Sequence, residues 1–212
     1  MSRPSSRASG PSPTTRRPAP CPAASSGAPG WWHDLRDDER EKPMNTPAFT
    51  AETSERGYRF LAAEVRRPQQ FPREEVEAAL ARYFALAGEA AETGDWNAWA
   101  DLFTEDAVYI EHAFGILRGR EGIRAWVTAV TGAKPTDLRM TDEWHVIDND
   151  LCIVYASNWR ADPAGGDPYQ FNAVAMLCYA GNGQWCYEED VYNALEAQQV
   201  MQAHAAAKSA AG

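Results

Sequence analysis

This 212-residue chain has no CxxC pair, no HxH or HExxH motif, and no uncharged apolar run near bilayer length. Each absence excludes a class of function. Without paired cysteine or histidine spacing, a structural or catalytic zinc site is not expected. A membrane helix needs roughly 20 apolar residues in a row, so no membrane partner is expected either. Basic residues are also scarce, with 20 Lys and Arg against 30 Asp and Glu and a net charge of −10. Residues 1–43 carry seven basic and five acidic side chains, so the remainder is more acidic still, at −12. Duplex nucleic acid is therefore not an expected partner.

The first thirty residues contain seven Pro, four Arg and no acidic residue, and past Met1 no long apolar side chain. Such a segment cannot bury enough surface to offset chain ordering. Residues 1–45 are expected to be a disordered leader, or a gene start placed too early with Met44 as the initiator. Arg16-Arg17 resembles an export or transit signal, but Pro18, Pro20 and Pro22 follow where an apolar stretch or amphipathic helix would be needed. A cytoplasmic location is expected. Cys152, Cys178 and Cys186 fall at uneven spacing in apolar strand patterns and read as reduced core thiols, while Cys21 lies in the leader.

Residues 46–71 read as a short helix and linker, with Tyr58, Leu61 and Val65 at helical spacing before Pro68 and Pro72. From Arg73 to Glu92, Val76, Leu80, Tyr83, Ala87 and Ala91 form one apolar stripe, and Gly94 ends the helix. Asp95 caps a second short helix carrying Trp96, Trp99, Leu102 and Phe103. Thr104-Glu105-Asp106 reads as a turn before a strand over Ala107–Phe114. A third helix opens at Gly119, with Ile123, Trp126, Val127 and Val130 inward, and closes at Gly132. Strands are expected over 138–147, 151–161, 169–179 and 184–192, joined by turn-forming links. Residues 196–212 read as an Ala-rich surface helix or tail. Helices followed by a meander of strands give an α+β domain over residues 72–195. Its curved, antiparallel or mixed sheet would be cone-shaped, with about three N-terminal helices on the concave side around an apolar pocket.

Gly94-Asp95-Trp96, Leu102-Phe103 through Val108, Gly119 through Ile123, and Trp185 through Asp190 occur in an order similar to SnoaL-like domains. These belong to the nuclear transport factor two-like superfamily, with ketosteroid isomerase, scytalone dehydratase and polyketide cyclases. The resemblance covers about residues 73–200. It implies a fold more than a reaction, because many chemistries share this cone.

His112 shares strand parity with the apolar Val108 and Ile110, which aims an imidazole into the core. By resemblance it sits near the position of the catalytic Asp of ketosteroid isomerase, and imidazole titrates where a proton shuttle should. Asp190 resembles the acid/base Asp of SnoaL-type cyclases. By the same registration residues 186, 188, 190 and 192 line the pocket, whereas apolar parity favours the face of Trp185, Tyr187, Glu189 and Val191. Both readings stay open. Glu111 is placed outside, opposite His112, and His145 at the surface. Where ketosteroid isomerase carries its oxyanion donors, this chain offers Ala175 and Ala87. The pocket is expected to bind its ligand through Tyr83, Trp126, Trp144, Tyr155, Phe171, Glu188 and Tyr192.

Together these point to a cofactor-free lyase, isomerase or cyclase for an apolar polyketide-, terpenoid- or steroid-like substrate. His112 would be the general base and Asp190 the acid or the orienting group. A non-catalytic binding or assembly module, or a small subunit of an oxygenase, is the alternative. A homodimer through the outer sheet face is expected, since aromatic side chains occupy both faces.

Overall fold

The computed structural model describes Ala51 and residues 66–211. The expected leader and most of the expected helix between Thr50 and Arg67 lie outside the described residues. Helix α1 (Arg73–Thr93) starts after Pro72 and buries Val76, Leu80, Tyr83, Ala87 and Ala91, the stripe read from the sequence. Glu74 and Glu75 sit in its first turn, where carboxylates complement the exposed N–H groups. Gly94 closes it at φ +80, and a Cβ there would stand 2.7 Å from the Lys134 backbone. Only glycine satisfies both the left-handed turn and that approach. A short α2 (Asn97–Ala100) follows, α3 (Gly119–Thr131) packs Ile123, Trp126 and Val127 inward, and α4 (Ala194–Ala211) ends the domain.

Six strands form one mixed sheet: β1 (Phe103–Glu111), β2 (Gly115–Arg118), β3 (Arg139–Asp148), β4 (Leu151–Arg160), β5 (Tyr169–Gly181) and β6 (Gln184–Tyr192). Their spatial order is β2-β1-β6-β5-β4-β3, with β1 and β6 parallel and all other pairs antiparallel. The α+β class, the curved sheet and the helices over its concave side agree with the sequence reading. Two details differ. Residues 104–106 are strand rather than turn, because Phe103 pairs with Trp185 and an irregularity before Val108 carries the polar residues through. Gly115–Arg118 forms a further short strand that folds back on β1.

Irregular registers also fall at Asp142/Trp144 in β3 and at Cys178/Tyr179 opposite β6. A bulge adds one residue to one strand, bends it, and reverses the facing of everything beyond it. These irregularities divide the apolar residues between two layers. Val154, Leu177, Tyr179 and Trp185 join the helices in the main core, whereas Ile110, Leu151, Cys178 and Tyr187 cluster on the convex side. Each fully buried aliphatic chain contributes roughly 1.5–3 kcal/mol relative to exposure. No helix of the described residues is long and apolar enough to cross a membrane.

Candidate active site

Between the helices and the concave face lies a cavity of about 690 Å³. Its helical wall includes Tyr83, Trp99 and Trp126, and its sheet wall includes Tyr109, Phe171 and Ala175. The aromatic rings brace one another: Tyr109 lies 5.0 Å from Trp126, and Tyr83 5.5 Å from Trp99. Small Ala156, Ala173 and Ala175 on the central strands leave the volume open.

Three carboxylates enter this apolar space, and each meets a tyrosine. Tyr83 donates to Glu188 Oε1 at 2.7 Å, and Tyr109 donates to Asp190 Oδ2 at 2.6 Å. Tyr192 donates to Glu111 Oε1, while the backbone N–H groups of Ala113 and Phe114 donate to Glu111 Oε2 at 2.8 and 3.0 Å. Glu188 differs from the other two. It is 1% exposed, and its Oε2 is buried with no hydrogen-bond partner.

On Glu188 and Asp190 burial acts more strongly than the hydrogen bonds do. Desolvation, reinforced by the charge of Asp190, pushes the Glu188 carboxyl well above the ordinary range, against the opposing Tyr83 hydrogen bond. Asp190 is raised to about 6, again chiefly by desolvation, with Tyr109 pulling the other way. Tyr83 and Tyr109 are pushed up by burial and by the carboxylates, so both stay protonated donors. Both acids are thus biased toward their neutral forms, Glu188 by burial and the Asp190 charge and Asp190 by burial. Because Oε1 accepts from Tyr83, the unpartnered Oε2 is the oxygen left to carry a proton. Two acids with separated titrations can divide the roles of proton donor and acceptor.

Of the residues proposed from sequence, Asp190, Tyr83, Trp126, Phe171, Glu188 and Tyr192 all line the cavity. Three do not. His112 follows the end of β1 on the convex side, 37% exposed at its side chain, with Nε2 2.9 Å from Glu189 Oε1. Val108 and Ile110 do point the same way, but toward the convex cluster rather than the cavity. Trp144 and Tyr155 also face outward, stacked on each other with ring centroids 5.3 Å apart, and Trp144 is 54% exposed. Both sheet faces are apolar, so alternation alone could not tell inside from outside.

Glu111, placed outside by the same parity argument, is 4% exposed and lines the cavity with Tyr109. A signal for it existed. Tyr109 and Glu111 alternate on β1 as Glu188, Asp190 and Tyr192 do on β6, and the parallel register joins Tyr109 to Glu188 and Glu111 to Asp190. On β6 the bulge at Cys186 lets Trp185 and Glu188 face the same way, so the registration by resemblance holds for three of its four residues and apolar parity only for Trp185. Residues 188, 190 and 192 line the cavity and Cys186 does not. Among the described residues no group of three His, Cys, Asp or Glu is arranged to hold a metal ion.

Several solved structures are similar to this chain. An NTF2-like protein from Anabaena variabilis aligns at 15% identity over 59% of this chain and 95% of its own, TM-score 0.47. A protein with a ketosteroid isomerase-like fold from Catenulispora acidiphila, bound to trimethylamine, aligns at 24% identity over 57% and 86%, TM-score 0.43. The epoxide hydrolase/cyclase-like enzyme SalBIII of polyether salinomycin pyran-ring formation aligns at 18% identity over 58% and 94%, TM-score 0.46. No curated protein matches the sequence. The family profile of the SnoaL-like domain matches residues 80–188, from the middle of α1 to the cavity acid of β6 and over half of the chain, and the protein belongs to that family.

Proposed function

We propose that the protein is a cofactor-free acid/base enzyme, a lyase, isomerase or cyclase, acting on an apolar polyketide-, terpenoid- or steroid-like substrate. The observation that carries this reading is the pairing on β6 of Glu188, buried with one oxygen unpartnered, and Asp190, raised to about 6. Asp190 removes a proton from carbon or oxygen of the bound substrate. Neutral Glu188, held by Tyr83, donates a hydrogen bond or its proton to the carbonyl or hydroxyl on which charge develops. A donor aimed at developing charge in a water-poor site is commonly the largest catalytic contribution. This pair takes over the roles first assigned to His112 and to the oxyanion donors missing at Ala175 and Ala87.

The lining supports the substrate class. Aromatic rings supply flat apolar contact, and the buried indole N–H groups of Trp96 and Trp126, without hydrogen-bond partners, suit a ligand bearing oxygen acceptors. Lys134, Arg139 and Arg160 occupy a different part of the lining. Arg160 pairs with Tyr169, six residues before the Ala175 that pairs with Asp190, a separation of about 20 Å along the strand. The reacting part of the ligand is thus not anionic.

A screen of cyclic ketones and alcohols, read by solvent deuterium exchange at acidic C–H positions, tests the proposal. Exchange by the native protein that disappears in Asp190→Asn supports it. Tight binding of several such compounds with no exchange or conversion would replace it with the binding-module alternative.

Homodimerisation is proposed through the convex face near Trp144 and Val146, which are 54% and 51% exposed. Sedimentation at micromolar concentration distinguishes monomer from dimer, and Trp144→Glu should shift the balance to monomer.

A further inference from the structure

Cys186 is the extra residue of the β5–β6 bulge: Cys178 pairs with Tyr187 and Tyr179 with Trp185, leaving Cys186 between them. The bulge turns its side chain to the convex side, where it packs against the cluster containing Cys178. Cys178 is 1% exposed, while Cys186 is only partly buried. Cys186 Sγ lies 3.5 Å from the Cys178 carbonyl, to which its thiol can donate, and the two neighbouring thiols influence each other's ionisation.

Arg67, from the segment before α1, completes the group. Its Nη2 stands 3.4 Å from Cys186 Sγ and donates to the Tyr179 carbonyl at 3.0 Å, while its buried Nε has no hydrogen-bond partner. Asp150 faces the same group from the β3–β4 turn, but its carboxylate accepts from the backbone N–H groups of Gln70 and Phe71. A guanidinium and a neighbouring thiol donor at one sulfur favour its thiolate. The Cys186 thiol is lowered from its ordinary value first by the Cys178 hydrogen bond and then, against burial, by Arg67. Cys178 is raised and stays protonated. Cys186 is thus half-buried beside a cation, and Cys178 is sealed behind it with its thiol pushed toward the protonated form.

We propose that Cys186 is a peroxide-reactive thiolate and that Cys178 is its resolving partner, the two closing a disulfide across β5 and β6. The Cys186 sulfur attacks one peroxide oxygen, forming an S–O bond and breaking O–O. The leaving hydroxide takes a proton as water, and Cys186 becomes a sulfenic acid. The Cys178 sulfur then attacks the Cys186 sulfur, the S–S bond forms as S–O breaks, and the Cys178 proton leaves with the hydroxide as a second water. Two thiols lose two electrons and one peroxide becomes two waters. The consequence reaches the cavity, because the bulge that the bond would pin also sets Glu188 and Asp190 inward. The convex surface near Trp144 lies three strands from β6, about 14 Å away, so the proposed dimer contact leaves Cys186 accessible.

The test uses the full chain carrying Cys21→Ser, so that Cys152, Cys178 and Cys186 are its thiols. One equivalent of hydrogen peroxide should remove two of the three titratable thiols. Non-reducing peptide mapping should then find Cys178 joined to Cys186, with Cys152 intact. Arg67→Gln should slow the reaction about tenfold near neutral pH by lowering the thiolate fraction. Arg67→Lys, which keeps the charge, should retain most of the rate, and circular dichroism should show both variants folded. In Cys178→Ser, dimedone should label Cys186. Oxidation of Cys152 at an equal rate, crosslinks only between chains, no dimedone label at Cys186 in Cys178→Ser, or an unchanged rate in Arg67→Gln would each overturn the proposal.

Discussion

Glu189 and Asp190 are neighbours in sequence, yet β6 sends them to opposite sides of the sheet and to opposite chemistries. Asp190 enters the cavity, accepts a 2.6 Å hydrogen bond from Tyr109, and is raised to about 6 by desolvation. Glu189 on the convex side accepts from Tyr187 at 2.5 Å and meets His112 at 2.9 Å, at the rim of a partly solvated cluster. Each face thus offers a carboxylate and a tyrosine, and the convex face adds a histidine. By residue type the convex group looks the more catalytic. The difference lies in solvent: an acid becomes a poised proton carrier where water is removed and the replacement hydrogen bonds are too few to compensate.

The sharpest break of this comparison is in turnover. Asp190→Asn should lower the rate on a substrate found by screening by about 10²–10⁴-fold, the usual contribution of a positioned proton carrier, while His112→Ala stays within about twofold. The reverse outcome would move the site to the convex face. Native activity should also rise as pH passes through about 6 and Asp190 loses its proton.

Stability gives the next largest effect. Below about pH 4 the Asp190 carboxyl is protonated in both folded and unfolded chains, so it adds no penalty. Between about 4 and 6 the unfolded chain releases that proton while the folded chain retains it, so the stability from this group is lost as pH rises through the folded value. Asp190→Asn should therefore match the native protein at pH 4 and exceed it by on the order of 3 kcal/mol at pH 8 in urea denaturation. A variant less stable at pH 8 would show that the buried carboxylate is well solvated.

Smaller effects come from the partners. Tyr83→Phe leaves both Glu188 oxygens without a donor and should cost about 1–3 kcal/mol, with Glu188 driven further toward its neutral form. On the convex side His112→Ala should cost about 0–1 kcal/mol, as exposed ion pairs do. Trp144→Ala should cost about 0.5–1.5 kcal/mol for the lost stack and leave ligand affinity unchanged.

Much of the architecture was legible before any coordinates. Val76, Leu80, Tyr83, Ala87 and Ala91 at helical spacing mark α1, and Gly94 and Gly132 end two helices in the left-handed turns that glycine favours. The links at Asp148–Asp150 and Ala180–Gly183 separate strands that pair as hairpins. Local chemistry suffices for such features, because periodicity and turn residues act over a few positions. Asp190, Glu188 and Tyr192 were also reachable through the family pattern, and Tyr83, Trp126 and Phe171 as aromatic residues of the apolar faces.

His112, Glu111, Trp144 and Tyr155 show where that legibility stops. Strand alternation determined which side chains share a face: Val108 with Ile110, Tyr109 with Glu111, Trp144 opposite His145. Only the tertiary structure decided which face is the cavity, because both are apolar and a single bulged residue, Cys186 on β6, reverses the assignment beyond it. Sequence alone also determined an acidic domain with aromatic residues in surplus, but not that three of its acids share one cavity. The pairing of β1 with β6 joins residues about 80 positions apart, and only that register removes water from Glu188 and Asp190 together.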